Sequence, residues 1–547
     1  MNRRTLIRQL GLSLPAYLLS KQAGASFFEN FDPVAKGPFQ PSWESLQQYT
    51  VPEWYRNAKF GLWAHWGPQC EPEHGDWYAR GMYEEGSDHY KFHLQQYGHP
   101  SKFGFKDVIH QWKAEQWNPE ELVSLYKRVG AKYFFAMANH HDNLDLWNST
   151  YQSWNSVKVG PKKDIIGGWA KAARKLGLPF GVSVHAAHAW TWFEVAQRAD
   201  KNGPMAGIPY DGKLTKQDGK GAWWEGLDPQ ELYAQNHPLS KSSNDNGVIH
   251  SQWNWGGGAS IPSKAYCEKF LKRTIELIDK YEPELIYFDD TVLPFHTVND
   301  VGLRIAAHHY NQSIKRNKGK LNAVLNGKIL DEMQRKCMVW DIERGQSNVI
   351  EPFTWQTDTC IGGWHYDKRV YDNRSYKSAK TVIHTLADVV SKNGNLLLNI
   401  PVKGNGTIDD QEKAVLEEIA DWMKLNAECI FDTRPWKVYG EGPATTETAQ
   451  LSGPGFNEGK GKPFGAADMR FTVKGDTLYA IVFGWPEDGK VKIKSLSEGN
   501  ALRPGAITKV EMTGAGDLRF QRNNEALEIT LPENRPALTY ALVFKIN

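Results

Sequence analysis

From about residue 51 to 430, short apolar runs alternate with longer amphipathic stretches. The runs are Phe60–Ala64, Tyr133–Ala138, Pro179–Val184, Leu285–Asp289, Ala323–Asn326, Met338–Ile342 and Asn395–Ile400. Each is too short for a buried helix and reads as a strand covered on both faces. The stretches between them predict helices at Pro119–Val129, Ile166–Leu176, Lys264–Lys280, Val301–Lys315, Ser378–Ser391 and Asp409–Leu425. The first opens on Asn118-Pro119, a capping side chain followed by proline in the first helical turn. Strand–helix alternation of this length predicts an α/β chain with a (β/α)₈-like, TIM-type barrel over 51–434, after an irregular lead-in at 26–50. Residues 195–260 break the rhythm with Gly, Lys, Gln and Trp, and read as an excursion over the open face of the barrel. Past about 435 the period changes to two. MRFTVKGDTLYAIVFGW (469–485), KVKIKSL (490–496), ALEITLP (526–532) and ALTYALVFKI (537–546) predict a C-terminal antiparallel β-sandwich over 435–547.

Composition narrows the function. Sixty-five Lys and Arg nearly balance 63 Asp and Glu, so nothing in the charge asks for nucleic acid as partner. The chain carries 22 Trp, and aromatic faces suit the apolar face of a sugar ring as well as a large core. Five cysteines show no CxxC spacing, which argues against a zinc ribbon or a thioredoxin-like motif. The first 25 residues read as an export signal. Arg3-Arg4 precede an apolar stretch and the small residues Ala23-Gly24-Ala25, a twin-arginine-like pattern that predicts a periplasmic or extracellular protein. No later apolar run is long enough for a membrane anchor.

Several apolar runs end abruptly in His, Asp or Glu, which is how a barrel strand delivers a polar group to its open end. Glycoside cleavage needs two carboxyl groups, one as nucleophile or base and one as acid. Asp289 ends ELIYFDD and Glu343 ends CMVWDIE, with Glu351 as a competing loop carboxylate. His140 and His141 are adjacent, so both reach one pocket only if the strand ends and twists there. A metal reading, with His65, His140, His141 and Asp142 or Asp289 as ligands, competes with a sugar site; the aromatic surroundings favour the sugar.

The segments KFGLWAHWG, GDWYARGMY, GAKYFFAMANHHDNLDLWNS, PELIYFDD, TWQTDTCIGGWHY and VVSKNGNLLLNIPVKGNGTI, in this order, resemble the α-L-fucosidases of glycoside hydrolase family 29 from about residue 50 to 435. The resemblance implies an exo-acting, retaining enzyme for terminal α-L-fucosyl units of oligo- or polysaccharides, with no cofactor and no metal. It implies Asp289 as nucleophile and Glu343 as general acid/base, with Glu351 as fallback. It implies His65, Asp76, Trp77, His140 and His141 as ligands of the sugar hydroxyls. Trp63, Tyr287 and Trp364 are the expected wall for the 6-deoxy methyl group. Asp76 stands where many relatives have Glu, and Asp290 where many have Gly after the nucleophile. GVSVHAAHAW departs from the family's aromatic-rich version, and its His185 and His188 read equally as shaping the leaving-group side or as loop histidines with local hydrogen bonds. A barrel metallohydrolase and an inactive fucose-binding relative are the alternatives.

Overall fold

The computed structural model describes residues 34–240, 255, 258–451 and 456–547; the segment read as an export signal lies outside them. Eight parallel strands close into a barrel in sequence order. They are β1 (Phe60–Ala64), β2 (Tyr133–Asn139), β3 (Phe180–Val184), β4 (Leu285–Thr291), β5 (Val324–Lys328), β6 (Val339–Glu343), β7 (Trp355–Cys360) and β8 (Gly394–Asn399). Around them lie the long helices α1 (Pro119–Val129), α2 (Ile165–Lys175), α3 (Lys264–Tyr281), α4 (Val301–Arg316), α5 (Ala379–Ser391) and α6 (Asp410–Asn426). Side chains of Asn118, Asp164, Ser263, Ser378 and Asp409 cap the free N–H groups at the starts of α1, α2, α3, α5 and α6. Only a 3₁₀ turn, Gln334–Lys336, separates β5 from β6, and no described helix separates β6 from β7.

Strand β7 has no counterpart in the apolar pattern. Four of the six residues of its sequence, WQTDTC, are polar, yet all six are buried. Most of its polar side-chain atoms find partners on neighbouring strands and loops, Asp358 Oδ1 being an exception among the described residues. Gln356 Nε2 donates to Asp341 Oδ1 at 2.7 Å, and the Thr357 hydroxyl donates to the carbonyls of Ile342 (2.9 Å) and Gly345 (2.6 Å). Tyr55 and Tyr133 direct their hydroxyls to Gln356 Oε1. The barrel floor is therefore a hydrogen-bonded layer under an aromatic one, and burial there does not require an apolar sequence.

The excursion after β3 packs on the one after β1. Asp211 is buried between Tyr83 (2.7 Å), Tyr233 (2.6 Å) and Lys106 (3.2 Å), which ties the two segments into one shoulder beside the barrel mouth.

Beyond the barrel, β9 (Arg434–Glu441), β10 (Met469–Lys474), β11 (Thr477–Val482), β12 (Lys490–Ile493), β13 (Val510–Met512), β14 (Gly516–Asp517), β15 (Phe520–Arg522), β16 (Leu527–Thr530) and β17 (Leu542–Ile546) form two sheets. One has the order β14-β13-β17-β11-β10-β9 and the other β12-β16-β15. Period-two alternation gives the larger sheet two apolar faces. Tyr479, Ile481 and Val543 join the barrel's core, whereas Leu478, Ala480, Val482 and Phe544 pack in a second core with Val491, Ile493, Leu527 and Ile529.

Candidate active site

The C-terminal ends of the strands surround a cavity of about 730 Å³, a size suited to a small ligand. Asp289, Glu343, Lys328, His65, His140 and His185 line it, together with Trp63, Tyr287, Trp364, Asp76 and Trp77.

Local irregularities aim these groups. The β2–β3 register shifts between Met137 and Asn139. Such a bulge bends the strand end, and β2 stops at Asn139. The Asn139 side chain then accepts the backbone N–H groups of His185 (3.1 Å) and Ala186 (3.2 Å), fixing the turn after β3 to the turn after β2. The adjacent His140 and His141 thereby lie in one histidine cluster. The β4–β5 register shifts between Tyr287 and Thr291, the segment that carries Asp289.

Asp289 is the best-connected acid of the site. Its Oδ2 lies 3.2 Å from His185 Nδ1 and 3.3 Å from His141 Nε2, and its Oδ1 accepts from Lys328 Nζ at 2.6 Å. The same ammonium hydrogen-bonds Glu343 Oε2. Sharing one ammonium brings the two carboxyl groups together at these oxygens, nearer the ~5–5.5 Å spacing of a retaining pair than the ~6.5–9.5 Å of an inverting one. Burial works against charge on Asp289, but Lys328 and the two histidines outweigh it and hold the carboxyl well below its usual range. Burial likewise opposes the Lys328 ammonium, but Asp289, Glu343 and Asp358 hold it well above its ordinary value.

Glu351 belongs elsewhere. Its carboxylate takes the Ser347 hydroxyl, and it does not line the cavity. Of the two competing acids, only Glu343 shares the cavity with Asp289.

The histidines divide into two roles. His141, a predicted sugar ligand, does not line the cavity; it is buried behind Asp289, with Nδ1 at 2.9 Å from the His185 carbonyl. His185 and His188, read as leaving-group residues, also back the acids. His185 meets Asp289, and His188 Nε2 lies 2.9 Å from Asp290. Asp290 is buried and engaged with His188, whereas Asp289 keeps 21% of its side chain exposed. His65, His140 and His365 line the cavity, and His365 was not singled out from the sequence although its motif was. Neither ring nitrogen of His65 has a hydrogen-bond partner among the described residues, while His140 Nδ1 is engaged by Gln69 at 2.8 Å. Burial, reinforced by the neighbouring imidazoles, lowers His65 and His140 well below the usual value; burial lowers His185 to about 4 despite Asp289. Neutral imidazoles offer one N–H and one lone pair each, a good match to neutral hydroxyls. Ligand atoms of His65, His140 and His365, and of His140, His141 and His185, also lie within 4.8 Å of one another, close enough to share a metal ion of the kind imidazole binds.

Asp76 accepts the backbone N–H groups of Trp364 (3.2 Å) and His365 (2.6 Å), so it both faces the cavity and holds the turn after β7. Trp63 gathers the aromatic wall. Its ring centroid is 5.2 Å from Tyr287 and 5.5 Å from Trp364. The Tyr287 hydroxyl donates to Asp358 at 2.9 Å. Lys328 itself escaped sequence reading because it follows Gly327 and looks like a turn residue; only the register of β5 brings it to Asp289.

The family profile described as alpha-L-fucosidase matches residues 26–428, and that of the alpha-L-fucosidase C-terminal domain matches 463–547. The tissue alpha-L-fucosidase of Rattus norvegicus is 25% identical over 519 residues, covering 92% of this chain and 90% of the rat protein. An alpha-L-fucosidase of Dictyostelium discoideum is 23% identical over 517 residues, covering 92% and 90%. The crystal structure of Thermotoga maritima alpha-fucosidase superposes with a TM-score of 0.65 at 25% identity, covering 93% of this chain and all of that one. A family match that spans the whole barrel establishes that the chain belongs to the α-L-fucosidase family.

Proposed function

We propose that this protein is an exo-acting, retaining α-L-fucosidase that releases terminal α-L-fucosyl units from fucosylated oligo- or polysaccharides. The observation that carries this reading is the pair Asp289 and Glu343 on one cavity, both within hydrogen-bonding reach of Lys328. In the first step the ionised Asp289 attacks the anomeric carbon while Glu343, in its acid form, protonates the departing glycosidic oxygen. The C–O bond to the leaving sugar breaks as the bond to Asp289 Oδ forms. In the second step Glu343 removes a proton from water, whose oxygen displaces Asp289 from the anomeric carbon with net retention. His65, His140 and His365 bind ring hydroxyls, and the wall of Trp63, Tyr287 and Trp364 receives the methyl group.

The test is hydrolysis of p-nitrophenyl α-L-fucoside by wild type and by Asp289→Gly. The variant should lose about three orders of magnitude or more in kcat, and azide should restore turnover by entering the space of the missing carboxylate. A variant that keeps its activity, or turnover abolished by EDTA in the wild type, would sink the reading.

A further inference from the structure

The cavity is not built by the barrel alone. Phe456, from the connection between β9 and β10, lines it, with 40% of the residue exposed. The connection is docked on the end of β6 through a short run of specific contacts. Phe456 N–H donates to the Glu343 carbonyl at 3.0 Å, and Glu458 N–H donates to the Arg344 carbonyl at 2.9 Å. Between them, Asn457 accepts the Gln346 N–H through Oδ1 (2.8 Å) and donates to the Gln346 carbonyl through Nδ2 (3.0 Å). The Glu458 carboxylate is held by Thr359 (2.8 Å), Lys377 (2.6 Å) and Arg344 (3.4 Å). Gly345 permits this approach. A Cβ there would lie 3.0 Å from Asn457 Oδ1 and 3.2 Å from Phe456 N. Phe456 itself takes a left-handed φ of 60°, a conformation that costs a bulky residue energy and persists where surrounding contacts impose it.

The position of this ring in the reaction follows from what it flanks. A general acid must touch the oxygen that leaves with the departing sugar. A group docked on the backbone of that acid, at the cavity wall, is therefore on the leaving-group side. The histidines and Asp289 occupy the side of the sugar under attack. An exposed phenylalanine at such a place has no core to fill and presents an apolar ring to the cavity.

We propose that Phe456 is the stacking platform for the leaving sugar, so that a residue of the connection between β9 and β10 selects substrates with a pyranose aglycone. This rests on the fucosidase reading and on Glu343 as its acid. The ligand class is an α-L-fucoside whose leaving group is a hexopyranose with an apolar C–H face, such as galactose.

The experiment compares wild type, Phe456→Ala and Phe456→Trp on three substrates. An α-L-fucosyl-galactose disaccharide offers a ring to stack and needs protonation. Methyl α-L-fucoside needs protonation but offers no ring. α-L-Fucosyl fluoride offers no ring and a leaving group that depends little on the acid. The expected result is a loss of about tenfold in kcat/KM for the disaccharide in Phe456→Ala, with methyl fucoside and fucosyl fluoride within about twofold of wild type and Phe456→Trp close to wild type on all three. Equal losses on the disaccharide and methyl fucoside would overturn the proposal and reduce Phe456 to a prop for Glu343. No loss on any substrate would overturn it as well. A wild type inert towards all three, fucosyl fluoride included, would instead bring down the fucosidase reading and the platform with it.

Discussion

At the scale of single residues, Lys328 decides the charge state of the site. A buried carboxylate is costly unless paired, and Asp289 has three partners, of which the ammonium is the only permanent cation. Its carboxyl is held well below the usual range, so it stays ionised through mildly acidic pH. Lys328→Gln removes the charge and retains a donor. The acidic limb of kcat/KM should then move upward by about one to two pH units as the Asp289 carboxyl becomes harder to ionise. A limb in its original place would show that the histidines alone keep the acid charged. Asp289 and Glu343 were legible from sequence because they end apolar runs, and Trp63, Tyr287, Trp364 and His65 were named through the family resemblance. Lys328, the role of His141 behind Asp289, and Phe456 were not. Each depends on a register or a docking contact between segments far apart in the chain, and no local pattern encodes that.

Among the elements, β7 shows why the barrel was only partly readable. Seven strands announce themselves as apolar runs, while the eighth is buried through hydrogen bonds to its neighbours. Asp358 on this strand faces Glu343 across the β6–β7 register. Burial raises it to about 7 against the pull of Lys328, with Glu343 and Asp289 adding to the rise. Its unfolded counterpart ionises near ~3.9. A carboxyl raised on folding contributes stability that is complete below about pH 4 and is lost as pH climbs towards about 7. Asp358→Asn removes that titration and keeps an oxygen for the Tyr287 hydroxyl. The difference in Tm between variant and wild type should therefore grow in the variant's favour from pH 4 to pH 7.5, read by scanning fluorimetry. A constant difference would mean that the pair of strands does not feel this proton.

In the whole molecule, the barrel and the sheets behind it share buried ionic contacts as well as apolar ones. Arg470 on β10 donates to Asp388 on α5 at 2.6 Å, and Lys392 reaches the other carboxylate oxygen at 2.8 Å, all three side chains being buried. Arg470→Met takes one cation from a buried anion and should cost about 3 kcal/mol. Because the larger sheet lends Tyr479, Ile481 and Val543 to the barrel's core, the loss should appear as one cooperative transition shifted to lower denaturant. Two separated transitions in wild type would show that the halves unfold independently.

The docking of residues 456–458 on the end of β6 also has a consequence in time. Glu458 follows Arg344 by 114 positions. A ribosome that has released all eight barrel strands has not yet supplied the segment that docks on the backbone of Glu343. The nascent barrel can close, but the cavity wall beside Glu343 is finished only by chain made later.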